Sequence, residues 1–209
     1  MWFRRKQSQS QSSQQVGISG VPEASNTEPG FAGMDWRRRE IQLVGMIDDE
    51  MANRVIAQLL YLQMQDKRDP ITLVLNSEGG AVTAALAIMD TMEFVGVPIH
   101  VAARELAAGM ALLLLAAGTR GQRVANAHSL VQCGPVISTS VNPGTHELFV
   151  RIKAQTKERL RTLTNLTALE AEEVIERGRS FTPVEALDAG IIDTIAPSTW
   201  TPRTINPQF

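Results

Sequence analysis

The stretch Ile71-Thr72-Leu73-Val74-Leu75-Asn76-Ser77-Glu78-Gly79-Gly80-Ala81-Val82 decides the fold. A short apolar run cut off by a polar and glycine cluster reads as a buried strand ending in a turn. Residues 84–94 then alternate apolar and polar residues at helical spacing. Gly79-Gly80 is expected to expose backbone N–H groups where that helix begins, a natural place to hold an oxyanion. A second short strand is expected over residues 98–103. Residues 106–117, Leu-Ala-Ala-Gly-Met-Ala-Leu-Leu-Leu-Leu-Ala-Ala, are too few to span a membrane and read as a helix buried in a soluble protein.

Upstream, Arg37-Arg38-Arg39-Glu40 precedes a strand over residues 41–44. Asp48 is positioned as the N-cap of a helix over residues 51–65, whose Val55, Ile56, Leu59, Leu60 and Leu62 keep helical spacing. Lys67-Arg68-Asp69-Pro70 closes that unit. Downstream, residues 123–133 read as a further strand, with Ala125-Asn126-Ala127 as a turn before it, and the Gly, Pro, Ser and Thr content of residues 134–145 reads as an excursion. Residues 147–165 read as a long helix with Leu148, Ile152, Leu160 and Leu163 on its apolar side. Thr167 and Glu170 have the spacing of a capping box. Strands alternating with helices predict an α/β fold of stacked β-β-α units.

The flanks differ in composition. Residues 1–33, with Ser and Gln filling 7–15, cannot bury enough to offset their ordering entropy and are expected to be a disordered tail. Their start has no apolar core for a secretory signal; an organelle transit peptide is the alternative to a plain tail. Residues 34–196 form the expected domain, and residues 197–209 a proline-containing C-terminal tail. The formal net charge of −2 gives no sign of nucleic-acid binding. One cysteine, Cys133, excludes an intrachain disulfide framework and fits a reducing compartment. His100, His128 and His146 are too scattered to predict a metal site.

Four segments carry a resemblance: Asn76-Ser-Glu-Gly-Gly80, Ala87-Ile-Met-Asp-Thr-Met92, Ala107-Ala-Gly-Met110 and Ala116-Ala-Gly-Thr-Arg-Gly-Gln-Arg123. They resemble the proteolytic subunit of the Clp (caseinolytic) protease family over roughly residues 41–195. That family has an Asn-Ser-Pro-Gly-Gly turn and a serine in Ala-Ala-Ser-Met-Gly at the head of a buried helix. The resemblance implies the ClpP/crotonase-like spiral with a protruding strand-helix handle, here at residues 147–165. It implies a serine endopeptidase ancestry, no cofactor and no metal.

Residue by residue, the resemblance places the family's nucleophile on Gly109, its histidine on Gly134 and its aspartate on Gly178. An acyl-transfer protease needs a nucleophile, a base and a group orienting that base; glycine supplies none. The expected catalytic set is therefore empty. A displaced triad would have to draw on Ser77, His128, Ser129 or Cys133. The oxyanion donors map to Gly80 and Met110. Aromatic residues of the family's ATPase-docking cleft map to Thr72 and Val74, with Phe94 remaining, so docking is expected to be weakened. The implied role is that of the ClpR-type non-catalytic paralogues. Such a subunit assembles with intact Clp subunits in heptameric rings stacked as a barrel, and meets a Clp ATPase but neither nucleic acid nor membrane. The expected location is cytoplasmic, with the plastid stroma as the alternative. Two other functions stay open: an active ATP-dependent serine endopeptidase with a displaced triad, and a crotonase-type acyl-CoA enzyme.

Overall fold

The computed structural model describes residues 32–136 and 143–197. Expectations for residues 1–31, 137–142 and 198–209 lie outside the described residues. β1 (Met34–Asp35) pairs antiparallel with β2 (Glu40–Ile47). Three strand-helix units follow: β2 with α1 (Asp49–Gln65), β3 (Ile71–Gly80) with α2 (Val82–Phe94), and β4 (Ile99–Ala108) with α3 (Met110–Ala116). Then come β5 (Arg123–Asn126), β6 (Leu130–Cys133), the long α4 (Pro143–Leu163), α5 (Ala168–Arg177), β7 (Arg179–Phe181), α6 (Pro183–Asp188) and β8 (Thr194–Ala196). The sheet runs β1-β2-β3-β4-β5-β8, parallel from β2 onward. β6 leaves this path, pairing parallel with β4 and antiparallel with β7. The α/β class read from the sequence is the class observed.

Packing follows the two periodicities. Ile71, Leu73 and Leu75 are fully buried, while α1 packs on α2 and α2 on α3 along the same side of the sheet. The opposite side shows Val44 and Met46 of β2 more than half exposed. Asp48 caps α1 as expected, its Oδ1 accepting from Met51 N–H at 2.8 Å. The capping box at Thr167 and Glu170 forms, and a second one forms at Thr182 and Glu185.

Several boundaries differ from the sequence reading. β3 continues through Gly79-Gly80, which pair with Met46 and Ile47 of β2, and α2 begins only at Val82. β4 extends to Ala108 because Leu106, Ala107 and Ala108 pair with Leu130, Val131 and Gln132 of β6. The buried helix is correspondingly shorter. The strand expected over residues 123–133 breaks at Ala127–Ser129. Ser129 Oγ there donates toward the carbonyls of Ala103 and Arg104 (2.9 and 3.0 Å) and accepts from Asn126 N–H at 3.1 Å. On α4, Leu160 is buried but Leu148 is 56% exposed, so the expected apolar side is covered only toward the C-terminal end.

Two arginines tie remote parts together. Arg39, with φ of 51°, donates to the carbonyls of Leu62, Pro70, Asp66 and Asp69 at 2.8–3.2 Å, closing the C-terminal end of α1. Arg123 is 2% exposed and binds Asp193 through Nε at 2.8 Å and Nη2 at 2.6 Å. Its Nη1 donates to the carbonyls of Ala116 and Leu163, so one guanidinium joins α3, α4, β5 and the approach to β8.

Candidate functional site

The ends of β3 and β4 meet because glycine lets them. A Cβ on Gly79 would lie 2.6 Å from the Ala108 carbonyl oxygen and 2.8 Å from Met110 N, and one on Gly80 would strike the backbone of Ile47. Both glycines have positive φ, 92° and 153°. Ser77 fixes the turn: its Oγ donates to the Gly45 carbonyl at 2.6 Å and accepts Gly79 N–H at 3.0 Å. The Gly79 N–H, expected to be offered to an oxyanion, is thus bonded within the chain. Gly109 follows β4 as the N-cap of α3, with φ of 53° and ψ of −126°. Few residues other than glycine hold such a backbone without strain.

A cavity of about 180 Å³ opens at this junction, lined by Gly80, Val82, Gly109, Met110, Cys133, Gly134, Pro135 and Val136. Five of the residues singled out in the sequence, Gly80, Gly109, Met110, Cys133 and Gly134, line it together. Gly178 does not line it but lies directly behind its wall: a Cβ there would sit 2.8 Å from the Cys133 carbonyl oxygen and 3.0 Å from Pro135 Cδ. A Cβ on Gly134 would meet nothing within 4 Å, and one on Gly109 would meet the Glu78 carbonyl oxygen at 3.2 Å. Val82 and Val136 escaped the sequence reading. Val82 looks like any apolar first residue of a helix, and nothing local distinguishes Val136 from its neighbours.

The chemistry available is sparse. The lining carries no hydroxyl, imidazole or carboxylate. Its one heteroatom with reactive potential is Cys133 Sγ, and burial pushes that thiol up to about 11. Ser77 and Ser129 are buried and engaged as described, and His128 is exposed in the turn between β5 and β6. The docking positions fall elsewhere. Val74 is buried on β3 and Thr72 is half-buried; Phe94, the last residue of α2, is 76% exposed. Among the described residues no group of His, Cys, Asp or Glu could hold a metal ion, and no helix is long and apolar enough to cross a membrane.

The model of the Clp protease family matches residues 32–199, which include every described strand and helix. The chain belongs to the Clp protease family. Among curated proteins, the ATP-dependent Clp protease proteolytic subunit 2 of Thermobifida fusca (strain YX) is 35% identical over 168 residues, covering 78% of this chain and 83% of that protein. The ATP-dependent Clp protease proteolytic subunit 3 of Rhodococcus jostii (strain RHA1) is 36% identical over 183 residues, covering 80% and 89%. These matches disfavour the crotonase alternative. Within the Clp frame the cavity lies where β3, β4 and β6 end together around the head of α3, and this Clp chain presents there backbone, apolar side chains and one buried thiol, that of Cys133.

Proposed function

We propose that this Clp family chain is a non-catalytic subunit of an ATP-dependent Clp protease, completing rings that contain intact proteolytic subunits. The observation that carries the reading is the cavity lining. Gly109, Gly134 and Gly178, the positions matched to nucleophile, base and acid, converge on one cavity and its wall without a functional side chain. The displaced-triad alternative draws no support from the four candidates. Two hydroxyls are tied to backbone, the histidine does not line the cavity, and the thiol ionises far above neutrality. Gly80 and Met110 then serve the fold, holding the strand end and the helix head together.

Ring assembly is supported by surfaces that a lone chain leaves uncovered. Parallel sheets ordinarily have both faces packed, yet Val44 and Met46 stand exposed here. Leu148 and Val150 do the same on α4. Weakened ATPase docking is supported by Thr72 and Val74 standing where aromatic rings are matched. The purified chain, given a fluorophosphonate probe and then casein with a Clp ATPase, should show neither labelling nor turnover. Serine labelling, or turnover that survives removal of contaminating host protease, overturns the proposal.

A further inference from the structure

We propose that the cavity at the head of α3 is a binding site for a small neutral apolar molecule, about the size of a single six-membered ring. Its space is the space that side chains at the matched nucleophile and base positions would take. Gly109 and Gly134 both line it, and a Cβ on Gly134 would meet nothing within 4 Å. The proposal therefore rests on the non-catalytic reading, because a hydroxyl and an imidazole at those two positions would fill the volume. The way in is open, since Gly134 is half-buried and Pro135 is exposed.

The lining selects the chemistry of the ligand. Val82, Met110, Pro135 and Val136 supply apolar side chains, and no charged side chain lines the cavity. Polar groups beside it are already engaged. Val136 N–H donates to the Ile175 carbonyl at 3.0 Å, and the Gly109 carbonyl accepts from Leu112 N–H at 3.3 Å. Cys133 Sγ donates to the Gly134 carbonyl at 3.4 Å. Groups so engaged have little to offer an ordered water, which needs about two to four polar partners. A charged ligand would give up its hydration with no opposite charge to replace it. The volume of about 180 Å³ suits one ring; an apolar cavity of about 150 Å³ is enough to hold benzene.

Position 134 gives a clean test. Gly134 has no positive φ, and as the residue before Pro135 it is held to an extended backbone that leucine also adopts. Fluorobenzene is the probe. Titrated into the full chain, it should broaden its fluorine resonance saturably, shift the Met110 methyl resonance and raise the thermal midpoint. Gly134→Leu fills the cavity and should weaken binding by about tenfold or more. Fluorobenzoate, the same ring carrying a carboxylate, should bind the wild type at least about tenfold more weakly than fluorobenzene. Absence of saturable fluorobenzene binding, equal affinity for fluorobenzoate, or undiminished binding by Gly134→Leu overturns the proposal. Should Gly134→Leu fail to fold, the Met110 methyl decides in the wild type: saturable binding that leaves it unmoved also overturns it. Fluorophosphonate treatment of the same sample reads the catalytic question separately. An unlabelled chain that does not bind fluorobenzene refutes the ligand site and leaves the non-catalytic reading standing.

Discussion

At the scale of single residues, the three glycines matched to the triad are unequal. Gly134 has room for a side chain, Gly109 has little, and Gly178 has none. Gly109→Ser alone should therefore give no measurable hydrolysis of small peptides: a serine without its base keeps almost none of a triad's effect, since the members act as a unit. Turnover by that variant would reveal a base outside the lining. Cys133 should resist iodoacetamide at pH 7 in the native chain and react after denaturation, because burial holds its thiol near 11 and only the thiolate attacks. Asp193 is a different case. Burial raises its pKa, but hydrogen bonds from the Arg123 side chain and backbone, with Gly121 N–H, outweigh burial and hold it below the ordinary 3.8. A carboxylate whose folded pKa is depressed stabilises above its unfolded value and loses that contribution as pH falls through the folded one. The thermal midpoint should thus drop as pH falls below about 4, and Asp193→Asn should flatten that part of the profile. At pH 7 the same variant leaves Arg123 buried without its partner and should cost about 3–5 kcal/mol in urea unfolding.

At the scale of elements, legibility depended on whether the deciding contact was local. Asp48, Thr167 and Glu170 announce their helices because a cap bonds within its own turn. The apolar run of β3, cut off by its polar and glycine cluster, announces a buried strand from adjacent residues alone. The end of β4 differs from the sequence reading: Leu106-Ala107-Ala108 suits helix and strand equally, and remote pairing with β6 and with Ser77 of β3 decides between them. The break between β5 and β6 is fixed by Ser129 reaching carbonyls of β4; the sequence offers a turn at Ala125-Asn126-Ala127, which overlaps the break but starts two residues early. Four of the residues lining the cavity could be named from the sequence through the family resemblance, and Cys133 as a displaced-triad candidate, whereas Val82 and Val136 required the fold. Arg39 shows the limit most clearly. In sequence it is the last of three consecutive arginines; in the fold it holds four carbonyls, from the last turn of α1 to Pro70 before β3. An ammonium cannot span that set, so Arg39→Lys should lower stability by about 1–3 kcal/mol by chemical denaturation. Arg37→Lys, on an exposed residue, should change it by less than about 0.5 kcal/mol.

At the scale of the whole molecule, the exposed apolar side chains locate where assembly can be tested without harming the fold. Leu160 is 1% exposed within the single chain, so a charge there would unfold it and say nothing about rings. Leu148 and Val150 are more than half exposed. Leu148→Glu with Val150→Glu should leave the thermal midpoint nearly unchanged while shifting the mass measured by light scattering, alone or with an intact Clp subunit, to smaller species. A wild-type chain that stays monomeric in both settings would remove the ring proposal. The closure of β3 upon β2 and β4 carries one more consequence, for how such a gene drifts. In a library of all single replacements selected only for a soluble product, Gly79 and Gly80 should rank among the least tolerant positions, because backbone from neighbouring strands fills the space a Cβ needs. Gly134 should accept many residues. Persistence of the glycine pair in a lineage then records the demands of folding and says nothing about catalysis.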